Sequence, residues 1–401
     1  MVVILSRHGV RSPTWTSERL NSYSAQPWPQ WNVAPGNLTS RGYELMKLFG
    51  SYDRSELAAN GLLSASGCRE ARSAYIWADT DQRTLASGKA IAEGLFPGCA
   101  PEVHSLPAGE VDPLFHPTAN GVKPGEAEVA YAALETRVKQ RQEASPELVE
   151  EMQHVLLGCA PKIACKPMHP PAMPLVGAPT AVVHGSGDRI VDLQGPLAQA
   201  SSFAEDFLLE YADGMPMEQV GWGKVDEPQL RRFLQLHSEY FDLLHRTPAL
   251  ARLEASNMLF HIERTLEQAV EQQPVNGALD TPGNKLVVIL GHDTNIAGVA
   301  ALLGLNWTLD GREDDTPPGT ELAFELWQSQ SGVYTVRVSI AFQTLDQLRT
   351  MPALTHANPP ARTSLTLRGC EVRNSGCSWQ DFEKIANEAV DQDKVTTAFP
   401  H

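Results

Sequence analysis

Hydrophobic and polar positions along the chain repeat with two different periods, and these mark out the elements. Val2-Val3-Ile4-Leu5 is a short, continuous, β-branched run, the pattern of a strand buried on both faces as in a parallel sheet. A loop rich in proline and tryptophan follows, around residues 25–35. Leu45, Leu48, Phe49 and Tyr52 then recur at i, i+3, i+4 and i+7, which predicts an amphipathic helix. Ala74–Ala78 reads as a second buried strand, followed by a helix with Thr84 as its N-cap and Ile91, Ala92, Leu95 and Phe96 on its inner face. Between residues 105 and 180 prolines are scattered, and one Glu- and Ala-rich stretch at 126–157 has helical character. Phe203, Phe207, Leu208 and Tyr211 keep helical spacing, as do Phe233, Leu236, Tyr240, Leu243 and Leu244, so the middle third is predicted to be mostly helical and inserted. Strand character returns at Lys285–Leu290. Val336, Val338, Ile340 and Phe342 alternate with Arg337, Ser339 and Ala341 after a Ser-Gln-Ser-Gly turn, which predicts a hairpin over 322–342. Strands interleaved with helices give an α/β domain interrupted by a helical one.

Composition narrows the possibilities. At 401 residues two domains are expected, and 42% hydrophobic residues supply a sizeable core. A charged fraction of 20% argues against a disordered or coiled-coil chain. The net charge of −16 excludes a globally basic nucleic-acid surface, so an anionic ligand must be drawn by a local basic pocket. No apolar run approaches the ~18 residues of a membrane span. The first residues lack the basic start and apolar stretch of a signal peptide, so the protein is either cytosolic or has had a signal removed. The cysteines are Cys68, Cys99, Cys159, Cys165, Cys370 and Cys377, with neither a C-x-x-C pair nor zinc-type spacing. Their even number suits a disulfide-bonded exported protein, with free buried thiols as the alternative.

Two segments share one design. Val-Val-Ile-Leu at 2–5 runs into Ser6-Arg7-His8-Gly9-Val10-Arg11, and the same four residues at 287–290 run into Gly291-His292-Asp293-Thr294-Asn295. Ligands of open α/β sheets sit just beyond the carboxyl ends of the strands, so adjacent strands of this kind bring His8 and His292 together. The strand at 74–78 ends in Asp79-Thr80-Asp81-Gln82-Arg83, which delivers Arg83 to the same rim. Three arginine forks match phosphate oxygens, an imidazole can act as nucleophile, and a carboxyl group such as Asp293 can donate a proton. The flanking arginines disfavour the imidazolium and keep a nitrogen lone pair free. A metal site built from His8, His292 and Asp293 is opposed by those same cations.

Arg7-His8-Gly9-Val10-Arg11-Ser12-Pro13-Thr14 resembles the signature of the histidine acid phosphatases, and His292-Asp293 resembles that family's second motif. Likeness to the bacterial periplasmic phytases and glucose-1-phosphatases extends over nearly the whole chain, through Trp28-Pro-Gln-Trp31, Asp112-Pro-Leu-Phe115, Gly221-Trp222-Gly223 and Thr316-Pro-Pro-Gly319 among others. The resemblance implies a phosphoglycerate-mutase-like α/β/α sandwich with a smaller, mainly α-helical inserted domain. We place the α/β part at 1–25, 70–105 and 250–401 and the helical cap at 26–69 and 106–249. By the same resemblance His8 is the nucleophile that becomes phosphohistidine. Arg7, Arg11, Arg83 and His292 hold the phosphoryl group, and Asp293 protonates the leaving alcohol without metal or cofactor. Thr14, Trp15, Asp79, Met215, Glu218 and Arg252 fall where the phytases line their substrate pocket. Phytases usually carry a lysine at the position of Trp15, a direct phosphate contact, which leads us to expect weaker binding of a second phosphate here. The resemblance also implies bridges Cys68–Cys99, Cys159–Cys165 and Cys370–Cys377.

The expected activity is therefore that of a periplasmic or secreted, monomeric acid phosphomonoesterase acting on a small anionic phosphate ester, with no nucleic-acid or membrane partner. Phytate is the preferred substrate, because Thr14 and Asp293-Thr294-Asn295 follow the phytase pattern. A glucose-1-phosphatase or broad acid phosphatase is the rival within the class, and a phosphate-binding protein without catalysis the rival outside it.

Overall fold

Alternate residues of the first strand face opposite layers of the molecule. In this computed structural model, which describes residues 1–99, 101–141, 146–158, 173–177, 179–370, 372–373 and 376–397, β1 (Val2–Arg7) is buried along its whole length. The further strands are β2 (Ala74–Ala78), β3 (Val103–His104), β4 (Ala181–His184), β5 (Val191–Gln194), β6 (Leu286–Gly291), β7 (Thr308–Leu309), β8 (Arg312–Glu313), β9 (Glu321–Gln328), β10 (Tyr334–Phe342), β11 (Ala361–Leu365), β12 (Val372–Arg373) and β13 (Gly376–Ser378). The helices are α1 (Ser17–Asn21), α2 (Ser40–Ala59), α3 (Gln82–Leu95), α4 (Pro124–Gln140), α5 (Pro146–Leu157), α6 (Pro196–Ala212), α7 (Glu227–His245), α8 (Pro248–Glu271), α9 (Asp293–Leu302), α10 (Leu345–Thr350) and α11 (Trp379–Ala389).

The main sheet runs in the order β12-β13-β10-β9-β1-β6-β2-β3, with β11 also paired to β10. β1, β6, β2 and β3 are mutually parallel, and β9 joins β1 antiparallel. The predicted hairpin is β9–β10. Val3, Leu5, Val287 and Ile289 share a core with α8, α9 and α11, whereas Val2, Ile4, Leu286 and Val288 share one with α2 and α3. The period-2 alternation thus feeds two layers of helices, and the result is an α/β/α sandwich.

A separate core joins α6 and α7 with Trp28, α5 and the β4–β5 hairpin, through Phe203, Phe207, Phe233 and Val191. Proline-scattered sequence hid that hairpin, whose strands are four residues each.

Three sequence expectations are corrected. Met46, Phe49 and Tyr52 pack against the sheet, so α2 is a layer of the sandwich and not part of a cap spanning 26–69. The stretch expected as one helix at 126–157 forms two, α4 and α5. Finally, α3 starts two residues before Thr84: Asp81 is at its N-cap, and the Thr84 hydroxyl donates to the carbonyls of Asp79 and Asp81.

Beneath α2, Asp53 shares a hydrogen bond with Glu321 of β9. Burial pushes Asp53 up to about 7, although that bond pulls it down, and burial with the neighbouring Asp53 pushes Glu321 well above the usual carboxyl range.

Candidate active site

The register of three parallel strands sets the site. Arg7 lies opposite Gly291 and Ala78 opposite Leu290, so β1, β6 and β2 end level with one another. His8 leaves β1 with its N–H donating to the Gly291 carbonyl at 3.0 Å, and Asp79 leaves β2 with its N–H on Leu290 at 3.0 Å. His292 precedes α9, its N–H donating to Asn295 Oδ1 at 2.9 Å. Arg83 sits in the first turn of α3. The loop after His8 lies against the start of α2. A methyl group at Gly42 would stand 2.1 Å from the Val10 carbonyl oxygen, and one at Gly9 would stand 2.9 Å from that of Gly42.

His8 and His292 stand edge to face, their ring centroids 5.6 Å apart. His8 is only 2% exposed, although it reaches the cleft. Its Nδ1 lies 2.8 Å from the Gly9 carbonyl, an acceptor, so Nδ1 carries the proton and Nε2 the lone pair. Burial, then the charges of Arg83, Arg7 and Arg11, hold its pKa well below the ordinary histidine value.

Arg7 is fully buried. Its Nη1 donates to the Thr316 carbonyl at 2.5 Å, and its Nη2 lies 2.5 Å from Glu205 and 2.7 Å from Asp293. Arg11 approaches Glu205 at 3.4 Å. Arg83 pairs with Asp81 at 2.6 Å and comes within 3.4 Å of His292 Nδ1. The Nε–H groups of Arg7 and Arg83 are buried without a hydrogen-bond partner among the described residues. Burial works to raise the pKa of Asp293, but Arg7, His237 and Arg11 outweigh it and hold the carboxyl below its usual range.

Behind His292 lies a relay of alternating acids and imidazoles. His292 Nε2 is 2.6 Å from Asp79 Oδ2, His116 Nε2 is 2.9 Å from the same oxygen, and His116 Nδ1 is 3.0 Å from Asp188. With a carboxylate on each nitrogen, His116 is an imidazolium: burial opposes the charge, but bonds to Asp188 and Asp79 raise its pKa to about 10. Burial likewise works to raise Asp79, yet the hydrogen bonds from His116 and His292 hold it low. His292 therefore donates Nε2–H to Asp79 and turns Nδ1 toward Arg83.

These groups open on a cleft of about 840 Å³ between the sheet and the α6–α7 helices, with the β4–β5 hairpin on one wall. His8, Arg11, Arg83, His292 and Asp293 line it, as do Thr14 and Trp15. Asp79 lies beneath the surface and orients His292, so it is not a substrate contact in this arrangement. Met215, Glu218 and Arg252 do not line the cleft, contrary to expectation. Met215 packs at the edge of the helical core, and Glu218 is exposed in the turn after α6. Arg252 is exposed on α8, between the buried Ala251 and Leu253, and donates to the Glu388 carbonyl at 3.3 Å. Sequence reasoning did not find His116, Asp188, Glu205 or His237. Glu205 carried a usable signal: with Asp206 and Glu210 it is one of three acids in α6, a helix with almost no polar face, and all three are buried. Bridges Cys68–Cys99 and Cys370–Cys377 are present, and the expected Cys159–Cys165 bridge lies outside the described residues.

Comparison with known proteins agrees with this geometry. A profile of the histidine phosphatase superfamily (branch 2) matches residues 1–341. The chain is 39% identical to Phytase AppA of Escherichia coli, over 97% of this chain and 91% of that protein. It is 30% identical to the glucose-1-phosphatase of Salmonella typhimurium, over 97% and 92%. Hafnia alvei phytase in its apo form superimposes with a TM-score of 0.86 at 33% identity, over 98% of this chain and 97% of that one. The same phytase in complex with myo-inositol hexakis sulphate gives 0.84 at 33%, over 98% of each chain. With the family profile spanning most of the sequence and the two strand-end histidines meeting in one cleft, the chain belongs to the histidine phosphatase superfamily, branch 2.

Proposed function

We propose that this protein is an acid phosphomonoester hydrolase that works through a phosphohistidine on His8, with myo-inositol hexakisphosphate as its substrate. The observation that carries the reading is the unprotonated Nε2 of His8 among three guanidinium groups, with Asp293 on the same rim. In the first step Nε2 attacks phosphorus, forming the P–N bond as the P–O ester bond breaks, and Asp293 gives its proton to the departing alkoxide. In the second step water attacks phosphorus, its proton passes to the Asp293 carboxylate, the P–N bond breaks and phosphate leaves. Arg7, Arg11 and Arg83 stabilise charge on the equatorial oxygens in both steps, and His292 joins them when the arriving phosphoryl group brings a proton to its Nδ1 while Asp79 keeps its Nε2–H. The α6–α7 helices and the β4–β5 hairpin serve as the cap over the reacting group.

Inositol hexakisphosphate is favoured by the likeness to the two phytases and by a cleft roomy enough for a multiply charged ring. The likeness to a glucose-1-phosphatase, with Trp15 in place of lysine, supports a sugar phosphate as the second reading. Two disulfides support a compartment outside the cytoplasm. None of the described helices is long and apolar enough to cross a membrane.

The test is phosphate release from inositol hexakisphosphate, glucose 1-phosphate and an aryl phosphate at acid pH without added metal, with alkaline quenching of labelled substrate. Label on His8, lost in His8→Ala, is expected. Label on a serine, or turnover in the variant, overturns the mechanism. Release from glucose 1-phosphate with none from the inositol ester overturns the substrate.

A further inference from the structure

Four arginines line the cleft: Arg11, Arg19, Arg83 and Arg189. Three have a carboxylate partner, in Glu205, Asp81 and Asp192 respectively. Arg19 has none among the described residues; its guanidinium instead lies over the Trp15 indole, 3.6 Å from the ring centroid. Helical side chains lean toward the N-terminus, which carries Arg19 of α1 back onto a residue four positions earlier. The indole is itself fixed from behind, edge-on to Phe203 at 5.7 Å and beside Tyr23 at 5.9 Å. Phe203 is fully buried in the α6 core, so this support is rigid.

A guanidinium stacked on a ring uses its face and leaves its edge free. The edge carries five N–H donors in one plane, spaced to grip an oxyanion. Stacking also limits the rotamers Arg19 explores, so less entropy is lost when a ligand is gripped. The surroundings heighten the need for such a cation. Glu205, Asp188 and Asp192 all line the cleft, and the whole chain is strongly acidic, so a second anionic group meets a repulsive field unless a free cation offsets it.

We propose that Arg19, held flat on Trp15, grips a non-scissile phosphate of a polyphosphorylated substrate. This rests on the reading of the cleft as the substrate site. Trp15 thus does not simply lose a lysine contact; it carries the cation one helical turn further along the chain. Arg19 and Trp15 act as one unit, with Trp15 positioning and Arg19 touching the ligand.

The test uses the full chain with the aryl monophosphate as reporter and myo-inositol hexakissulphate as a non-hydrolysable competitive inhibitor. Arg19→Leu should raise the inhibitor's Ki, relative to the KM of the reporter, by about three- to tenfold at low salt. That gap should shrink in about 0.5 M salt. Trp15→Leu should move Ki in the same direction, and Arg19→Lys should recover only part of the loss, because the ammonium keeps the charge but not the planar fork. An unchanged ratio of Ki to KM in Arg19→Leu, or full recovery in Arg19→Lys with Trp15→Leu silent, overturns the proposal. The inhibitor reads Arg19 whether or not inositol hexakisphosphate is turned over, so a wrong substrate assignment gives a different result from a wrong assignment of Arg19.

Discussion

The Nη2 of Arg7 lies 2.7 Å from Oδ2 of Asp293, so the acid that must protonate the leaving group is ionised before substrate arrives. A phosphoryl group entering beside Arg7 draws on the same positive charge and places negative charge near the carboxylate. Both effects raise the pKa of Asp293, so binding itself loads the acid with a proton.

Inorganic phosphate binding should therefore be accompanied by net proton uptake near pH 5, measured by calorimetry in buffers of differing ionisation enthalpy. In Asp293→Asn that uptake should fall by up to one proton. The same variant should slow inositol hexakisphosphate, whose leaving group is a poor one, by roughly 10²-fold or more. An aryl phosphate with an acidic phenol should suffer much less. Equal losses on both substrates would mean that Asp293 acts by charge or positioning alone.

His116 joins the floor of the site to the β4–β5 hairpin through Asp79 and Asp188. Its pKa is raised from the ordinary 6.5 to about 10, so its contribution to stability is complete below about 6.5 and disappears as pH rises through about 10. The two carboxylates are held low, so their share is present above about 4 and lost at more acid pH. His116→Ala should cost about 1.5–3 kcal/mol between pH 4 and 6.5, read from denaturant midpoints. The difference from wild type should narrow toward pH 10; a constant difference would count against an imidazolium there.

The carboxyl pair under α2 also loses stability as pH rises, but on the acid side of neutrality. Asp53 is raised to about 7, so the folded state holds a proton that the unfolded chain has already lost, and stability falls as pH rises from about 4 through 7. Asp53→Asn mimics the protonated form and should flatten this decline, leaving the variant more stable than wild type at pH 8. Parallel stability–pH curves for the two proteins would refute the shared proton.

Cys68 and Cys99 tie the segment after α2 to the end of α3 across a separation of 31 residues. In the chain-entropy model that link contributes about 3–4 kcal/mol, and the separation of 7 between Cys370 and Cys377 contributes about 2. Replacing Cys68 and Cys99 together by serine should lower the melting temperature more than replacing Cys370 and Cys377. Activity at moderate temperature should survive, since both bridges lie outside the cleft lining.

Much of the sheet was legible because Val-Val-Ile-Leu occurs twice and each copy runs into a histidine; the register of β1 on β6 sets the two copies one residue apart, with Val2 opposite Leu286, and so brings His8 level with His292. The remote parts of the cleft were not. Arg252 is one helical step from the buried face of α8, and a step of about 100° separates a cleft residue from an exposed one, which position in a sequence does not resolve. His116 stands directly after Asp112-Pro-Leu-Phe115, and only the fold brings Asp79 and Asp188 to its two nitrogens. Arg19 reads as an ordinary surface charge until Trp15 is seen beneath it.

The close contact of Gly42 with Val10 limits how this enzyme can be made more heat-resistant. Glycine-to-alanine exchange in a helix is a common stabilising step, worth about 0.4–1 kcal/mol where the backbone allows it. At Gly42 the added methyl would push on the loop that holds His8 and Arg11, and at Gly50 it would meet the Ile91 carbonyl oxygen at 2.6 Å. The outward side of the same helix is free of that constraint. Ser51 and Ser55 are exposed there and bond back to the carbonyls of Lys47 and Ser51, so alanine at those two positions offers helix propensity with no displacement of the nucleophile.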